Sequence, residues 1–220
     1  AFMKQQIEEK LADGFTCIKL KIGAIDFDKE LQLLRFIREH FTPEQVEIRV
    51  DANGAFDSDL ALDKLIQLTE FKLHSIEQPI QKNHTDRMAE LCKTTPFPIA
   101  LDEELIGVFT LAEKEQLLEK TKPQYIILKP SFVGGFRGTQ EWISLAEKHN
   151  IGWWVTSALE SNIGLNAIAQ WTFLQHNLMP QGLGTGALYT NNFDCPLEVS
   201  QGQLWYKKEL DWTFDFALLK

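Results

Sequence analysis

The sequence predicts an α/β fold of the (β/α)8, TIM-like barrel type, and three observations carry that prediction. Short apolar runs alternate with amphipathic helical stretches through most of the 220 residues, the pattern of parallel strands joined by helical crossovers. A polar or glycine position closes each run at a separation of 25 to 30 residues from the last, so each βα unit contributes one such group at the same point of its cycle. Nothing resembles a glycine-rich dinucleotide turn or a phosphate-binding loop, which favours a barrel over an open doubly wound sheet.

Taken in order, a helix over 2–11 stops at Asp13-Gly14. A strand over 16–22 is closed by Gly23, and a helix over 28–41 follows with Leu31, Leu34, Ile37 and Phe41 on one face. Further strands are expected at 46–50, 75–76, 99–101, 125–128, 152–156 and around 182–183, with helices near 59–71, 86–93, 111–120, 139–149 and 164–175. Within 152–156, period-2 alternation sends one ring of Trp153-Trp154 to the lumen and the other to the helices. These are seven strands where a barrel takes eight, and complete barrels run to about 250 residues. The expectation is a barrel over 1–192 whose first strand lies outside the sequence, followed by an irregular wrap over 193–220 that ends in a short strand or helix.

Composition narrows the function. Lys and Arg total 22 against 31 Asp and Glu, a formal charge of −9. That balance argues against nucleic acid, whose phosphates need a basic face. No apolar run approaches the roughly 20 residues of a membrane span. Cys17, Cys92 and Cys195 are scattered and odd in number, which excludes a disulfide framework or zinc site and points to the reducing cytoplasm. Cys17 and Cys92 read as packed thiols, and the five histidines have no metal-ligand spacing.

The groups at the strand ends are Lys21, Asp51, Glu77, Asp102 and Lys129, then Ser157 and the Gly184 region. In a parallel barrel the carboxyl ends of the strands form the active site. Three carboxylates there repel one another unless a cation binds between them, and oxygen ligands with open positions suit Mg²⁺, with Mn²⁺ as the alternative. Alternation puts Lys19 and Lys21 on one side of their strand. Neighbouring ammonium groups and a metal ion would disfavour the charged lysine and lower its pKa toward that of a general base. Metal and lysine across one pocket define removal of a proton α to a carboxylate. Racemisation, cycloisomerisation and β-elimination all begin that way.

Five motifs in order, Lys19-Leu20-Lys21, Arg49-Val50-Asp51-Ala52-Asn53-Gly54, Ile76-Glu77-Gln78-Pro79, Leu101-Asp102-Glu103 and Leu128-Lys129-Pro130, resemble the muconate-lactonizing subgroup of the enolase superfamily. Phe56 departs from the Trp that many members carry there. The resemblance implies a catalytic pair Lys21 and Lys129, Mg²⁺ held by Asp51, Glu77 and Asp102, and Lys19, Asn53 and Glu103 supporting them. Thr156 to Gly164 and Gly182 to Gly186 look like the o-succinylbenzoate synthase branch, dehydratases of menaquinone biosynthesis. An Asp-x-Asp pair typical of dipeptide epimerases is absent at Gly184-Thr185-Gly186. Ser157, Ser161, Gly184 and Gly186 are the candidates for contact with a small-molecule carboxylate. The family resemblance also implies an N-terminal capping domain as partner to the barrel; oligomeric state is left open. N-acylamino acid racemisation is the competing activity, and an inactive fragment lacking its cap is the non-enzymatic one.

Overall fold

The computed structural model describes residues 2–183 and 189–213. Helix α1 (Phe2–Ala12) turns at Gly14 into β1 (Cys17–Lys21), and the alternation continues with α2 (Phe27–His40), β2 (Glu47–Asp51), α3 (Ala61–Leu68), β3 (Ser75–Glu77), α4 (Thr85–Thr94) and β4 (Ile99–Leu101). It is completed by α5 (Leu111–Thr121), β5 (Tyr125–Leu128), α6 (Gly135–Lys148), β6 (Gly152–Val155) and α7 (Asn162–Phe173). The six strands pair in sequence order, all parallel, as a curled half-barrel with the helices outside.

Local chemistry fixes the helix starts. The Asp26 carboxylate caps α2 by accepting from Lys29 N–H, and α5 opens on a reciprocal capping box between Thr110 and Glu113. Helix α6 begins at Gly135, earlier than its apolar periodicity suggests. The reason is Gly134, which at φ 98° supplies a left-handed start.

Alternation along the strands divides the core into two clusters. Ile18, Ile48, Val50, Ile76, Leu128 and Trp153 face outward among residues such as Leu34, Leu65 and Trp142 of the helices. Ala100, Ile127 and Trp154 face the lumen with Tyr125 and Met179. The two adjacent tryptophans therefore point to opposite faces, as their alternation requires.

Two expectations are refined. The seventh strand, expected around 182–183, is represented among the described residues by a parallel bridge between Thr156 and Gly182. The segment after 193, expected as an irregular wrap that ends in a short strand or helix, contains an antiparallel hairpin, β7 (Leu197–Ser200) with β8 (Gln203–Tyr206). Its turn carries Gln201 at φ 52° and Gly202 at φ 71°, the doubly left-handed geometry that matches the twist of paired strands. The turn seats against Gly14: a Cβ on Gly202 would overlap the Gly14 carbonyl.

Candidate active site

Lys21, Asp51 and Glu77 are the last residues of β1, β2 and β3, and register sets Lys21 beside Asp51 and Asp51 beside Glu77. Asp102 and Lys129 each follow their strands, β4 and β5, by one residue. Five neighbouring strands thus deliver lysine, acid, acid, acid, lysine to one rim of the half-barrel.

The acids are almost completely buried, Asp51 at 1%, Glu77 at 3% and Asp102 at 1% exposure. Lys19 Nζ bridges Asp51 Oδ2 at 2.8 Å and Glu77 Oε2 at 2.5 Å. Lys21 Nζ lies 3.3 Å from Asp51 Oδ2 and donates to Asn53 Oδ1. Lys129 Nζ donates to Asp102 Oδ2. Asn53, at φ 43°, links the set: its N–H donates to Asp51 Oδ1 at 2.9 Å and its Nδ2 to Glu103 Oε1 at 2.8 Å. The tight turn needs Gly54, whose Cβ, were there one, would come within 2.9 Å of Gln81 Cα.

Burial pushes the Glu77 carboxyl up to about 8; Lys19 opposes, and the nearby Asp51 and Asp102 add repulsion. Burial acts on Asp51 in the same sense, but Lys19, the Asn53 N–H and Lys21 hold it below the ordinary range. For Lys19 burial disfavours the charge, yet Glu77 and Asp51 outweigh it and hold the ammonium above the usual lysine value. The acids facing Lys19 therefore set its charge in the metal-free chain.

These residues fit a hard divalent cation. Glu77 Oε1 is buried without a hydrogen-bond partner, and the donors are carboxylate oxygens from adjacent strands. Their ligand atoms do not all gather within 4.8 Å; among the described residues only Glu115, Glu119 and His149 do so. Ammonium groups explain the spread, Lys19 drawing Asp51 and Glu77 and Lys129 drawing Asp102. The Glu115 cluster joins α5 to the end of α6, near the opposite rim, where Lys148 already donates to Glu115. Sequence spacing does not reveal that histidine's neighbours.

The substrate-side candidates are less gathered. Ser157 N–H donates to Gly182 O at 3.0 Å. Ser161 precedes α7 as its N-cap residue, with no side-chain capping bond. Gly184 and Gly186 lie outside the described residues.

Several supports are not apparent from the sequence. Gln78 is fully buried at φ 39°; its Oε1 accepts from the N–H groups of Asp102 at 3.3 Å and Glu104 at 3.4 Å, fixing the third acid. Glu30 Oε1 accepts from Gly23 N–H at 2.7 Å and from Ala24 and Ile25, bracing the loop after Lys21. Glu160 accepts from Ser131 Oγ at 2.5 Å and from Ala158 N–H at 2.7 Å, joining the loops that follow β5 and β6. The one sequence signal for Gln78 is a polar residue beside a strand-end acid inside an apolar run.

Residues 3–209 match the Enolase C-terminal domain-like family. The chain is 59% identical to an o-succinylbenzoate synthase of Desulfotalea psychrophila over 204 residues, 93% of this chain and 55% of that protein. The crystal structure of MenC from Desulfotalea psychrophila LSv54 superposes with a TM-score of 0.88 at 57% identity, covering 92% of this chain and 56% of that one. A muconate cycloisomerase from Pseudomonas fluorescens superposes with a TM-score of 0.82 at 27% identity, covering 98% and 60%. The chain thus spans little more than half the length of these relatives. With its parallel half-barrel and its strand-end acids and lysines, the chain belongs to the Enolase C-terminal domain-like family.

Proposed function

We propose that this chain is the barrel part of a Mg²⁺-dependent dehydratase that forms o-succinylbenzoate from 2-succinyl-6-hydroxy-2,4-cyclohexadiene-1-carboxylate. The observation that carries the reading is the row of three buried acids on β2, β3 and β4 flanked by lysines on β1 and β5; the 59% identity to an o-succinylbenzoate synthase supports the choice of reaction. Asp51, Glu77 and Asp102 would hold Mg²⁺ or Mn²⁺, which when bound offsets the negative charge developing on the substrate carboxylate. Lys21, once neutral, accepts the α-proton at Nζ, and Asn53 and Asp51 fix that nitrogen. Lys129 presents its ammonium from the other flank and stabilises the same developing charge. The electron pair left by the proton then expels the ring hydroxyl. Lys21 returns its proton to that oxygen, which departs as water, and the ring becomes aromatic. The capping part of the enzyme, which the relatives' greater length accommodates, would close this rim and exclude water.

The test is to follow aromatic product from the cyclohexadiene substrate with Mg²⁺ and with EDTA, on the complete polypeptide carrying this chain. Metal-dependent product is the expected result. No product, together with α-proton exchange on N-acylamino acids in D₂O, would replace dehydration by racemisation.

A further inference from the structure

Arg49 belongs to the motif that carries Asp51, yet the chemistry above leaves it without a role. It lies two residues before Asp51 on the lumenal face of β2, with Lys19 as its register partner on β1, so it sits one layer beneath the acids. Its exposure is only 5%. Nε donates to Glu47 Oε1 at 2.7 Å, Nη1 donates to Pro180 O at 2.9 Å, and the guanidinium stacks 4.1 Å from the centroid of the Trp154 ring on β6. A planar fork that hydrogen-bonds in its plane and stacks on its face suits this double contact, as a lysine would not.

Arg49 reaches across the lumen from β2 to the segment that follows α7. The strand ladder runs from β1 to β6 and ends in the Thr156–Gly182 bridge. A cleft of about 350 Å³ lies there, lined by Cys17, Lys19, Arg49, Trp154, Thr156 and Gly182 among others. Gly182 in turn holds the loop after β6, accepting from Ser157 N–H and donating to Val155 O. A continuous path therefore runs from the strand of Asp51 through Arg49 and Pro180 to Gly182 and Ser157.

We propose that Arg49 is a positioning residue that ties the 180–182 segment, and through it the loop bearing Ser157, to the metal-side strand across the lumen. It sets the distance between the two halves of the pocket without touching substrate. The role rests on the dehydratase reading for its kinetic consequence, but the tie itself is a property of the fold and is read without turnover.

The experiment compares wild type, Arg49→Lys and Arg49→Met in the complete polypeptide by amide hydrogen exchange and steady-state kinetics. Arg49→Lys keeps a cation and carries the test where Arg49→Met does not fold. Exchange at the Gly182 amide, which donates to Val155 O, is expected to quicken at least tenfold while β2 and β3 stay protected. kcat/KM is expected to fall at least tenfold with the Mg²⁺ concentration for half-activation changed less than twofold. Unchanged exchange at Gly182 overturns the tie. Faster exchange with unchanged kcat/KM, or an equal loss of Mg²⁺ affinity, overturns the positioning role. Failure of wild type to dehydrate the substrate sinks the proposed reaction instead, and the kinetic comparison then passes to α-proton exchange on an N-acylamino acid.

Discussion

The half of the barrel from β1 to β5 and the part from β6 to Gly182 hold their polar groups by different means. In the first, each lysine or acid ends a strand or follows it by one residue, so the parallel register sets its position, with Gln78 adding a side-chain tie at Asp102. In the second, side chains reach out to backbone. Gln181 Oε1 accepts from Val155 N–H at 2.7 Å while its Nε2 donates to Met179 O at 2.6 Å, and Asn177 Nδ2 donates to Trp153 O at 2.6 Å. Thr156 Oγ1 donates to Gly182 O at 2.8 Å. A ladder repeats and can withstand a local change, whereas single side-chain ties cannot be replaced by a neighbour. The chemistry sits on the part built by repetition, and the groups proposed to select the substrate sit on the part built by individual bonds.

That contrast can be broken most sharply at Lys21. Lys21→Ala is expected to cost about a thousandfold in kcat, within the range for loss of a general base. Mg²⁺ binding by calorimetry should change less than threefold, because the acids keep their positions in the ladder; retained turnover would remove Lys21 from its role. On the other side, Gln181→Ala leaves the Val155 N–H without its acceptor and should destabilise the fold by about 1–3 kcal/mol in urea denaturation. A loss below the error of that measurement would mean the 177–182 segment is not held as described.

Smaller effects sharpen the picture. Asn53→Ala removes the acceptor for Lys21 and the link to Glu103, and is expected to lower kcat about tenfold, the effect of about 1.4 kcal/mol on the barrier, with little change in Tm. A further expectation concerns pH and stability. Because the Glu77 carboxyl is raised in the folded chain from 4.5 to about 8, the folded state holds a proton that the unfolded chain releases near 4.5. The resulting stability is complete below 4.5 and is lost as pH rises through about 8. Metal-free protein should therefore lose Tm between pH 5 and 9 through this group, and Glu77→Gln should flatten that slope. An identical slope in the variant would assign the loss elsewhere.

The same division explains which parts of the fold and site are legible in the amino-acid sequence. The repeat of one polar group per βα unit marks Lys21, Asp51, Glu77, Asp102 and Lys129, because a parallel strand converts sequence spacing into position. The ends of β4 and β5 are legible to the residue, since their apolar runs stop abruptly at Asp102 and Lys129. Gln78 is not legible, because its importance lies in which backbone groups it accepts from after the chain has turned. Arg49 looks like part of an acid's motif, and its reach to Trp154 and Pro180, each more than a hundred residues away, is what distinguishes it. The hairpin of β7 and β8 is hidden because its residues alternate weakly and both strands stay largely at the surface.

The seating of Gly202 on Gly14 has a consequence for the order of assembly. Each βα unit can pack on its predecessor as a local event, but this contact joins residues separated by nearly the whole described chain. Closing so long a loop adds only about 0.6 kcal/mol for each doubling of its length, yet contacts of such separation slow the search for the native state. The turn after α1 and the hairpin therefore form a latch that engages last. A chain released before residue 202 would lack this contact between the turn after α1 and the hairpin.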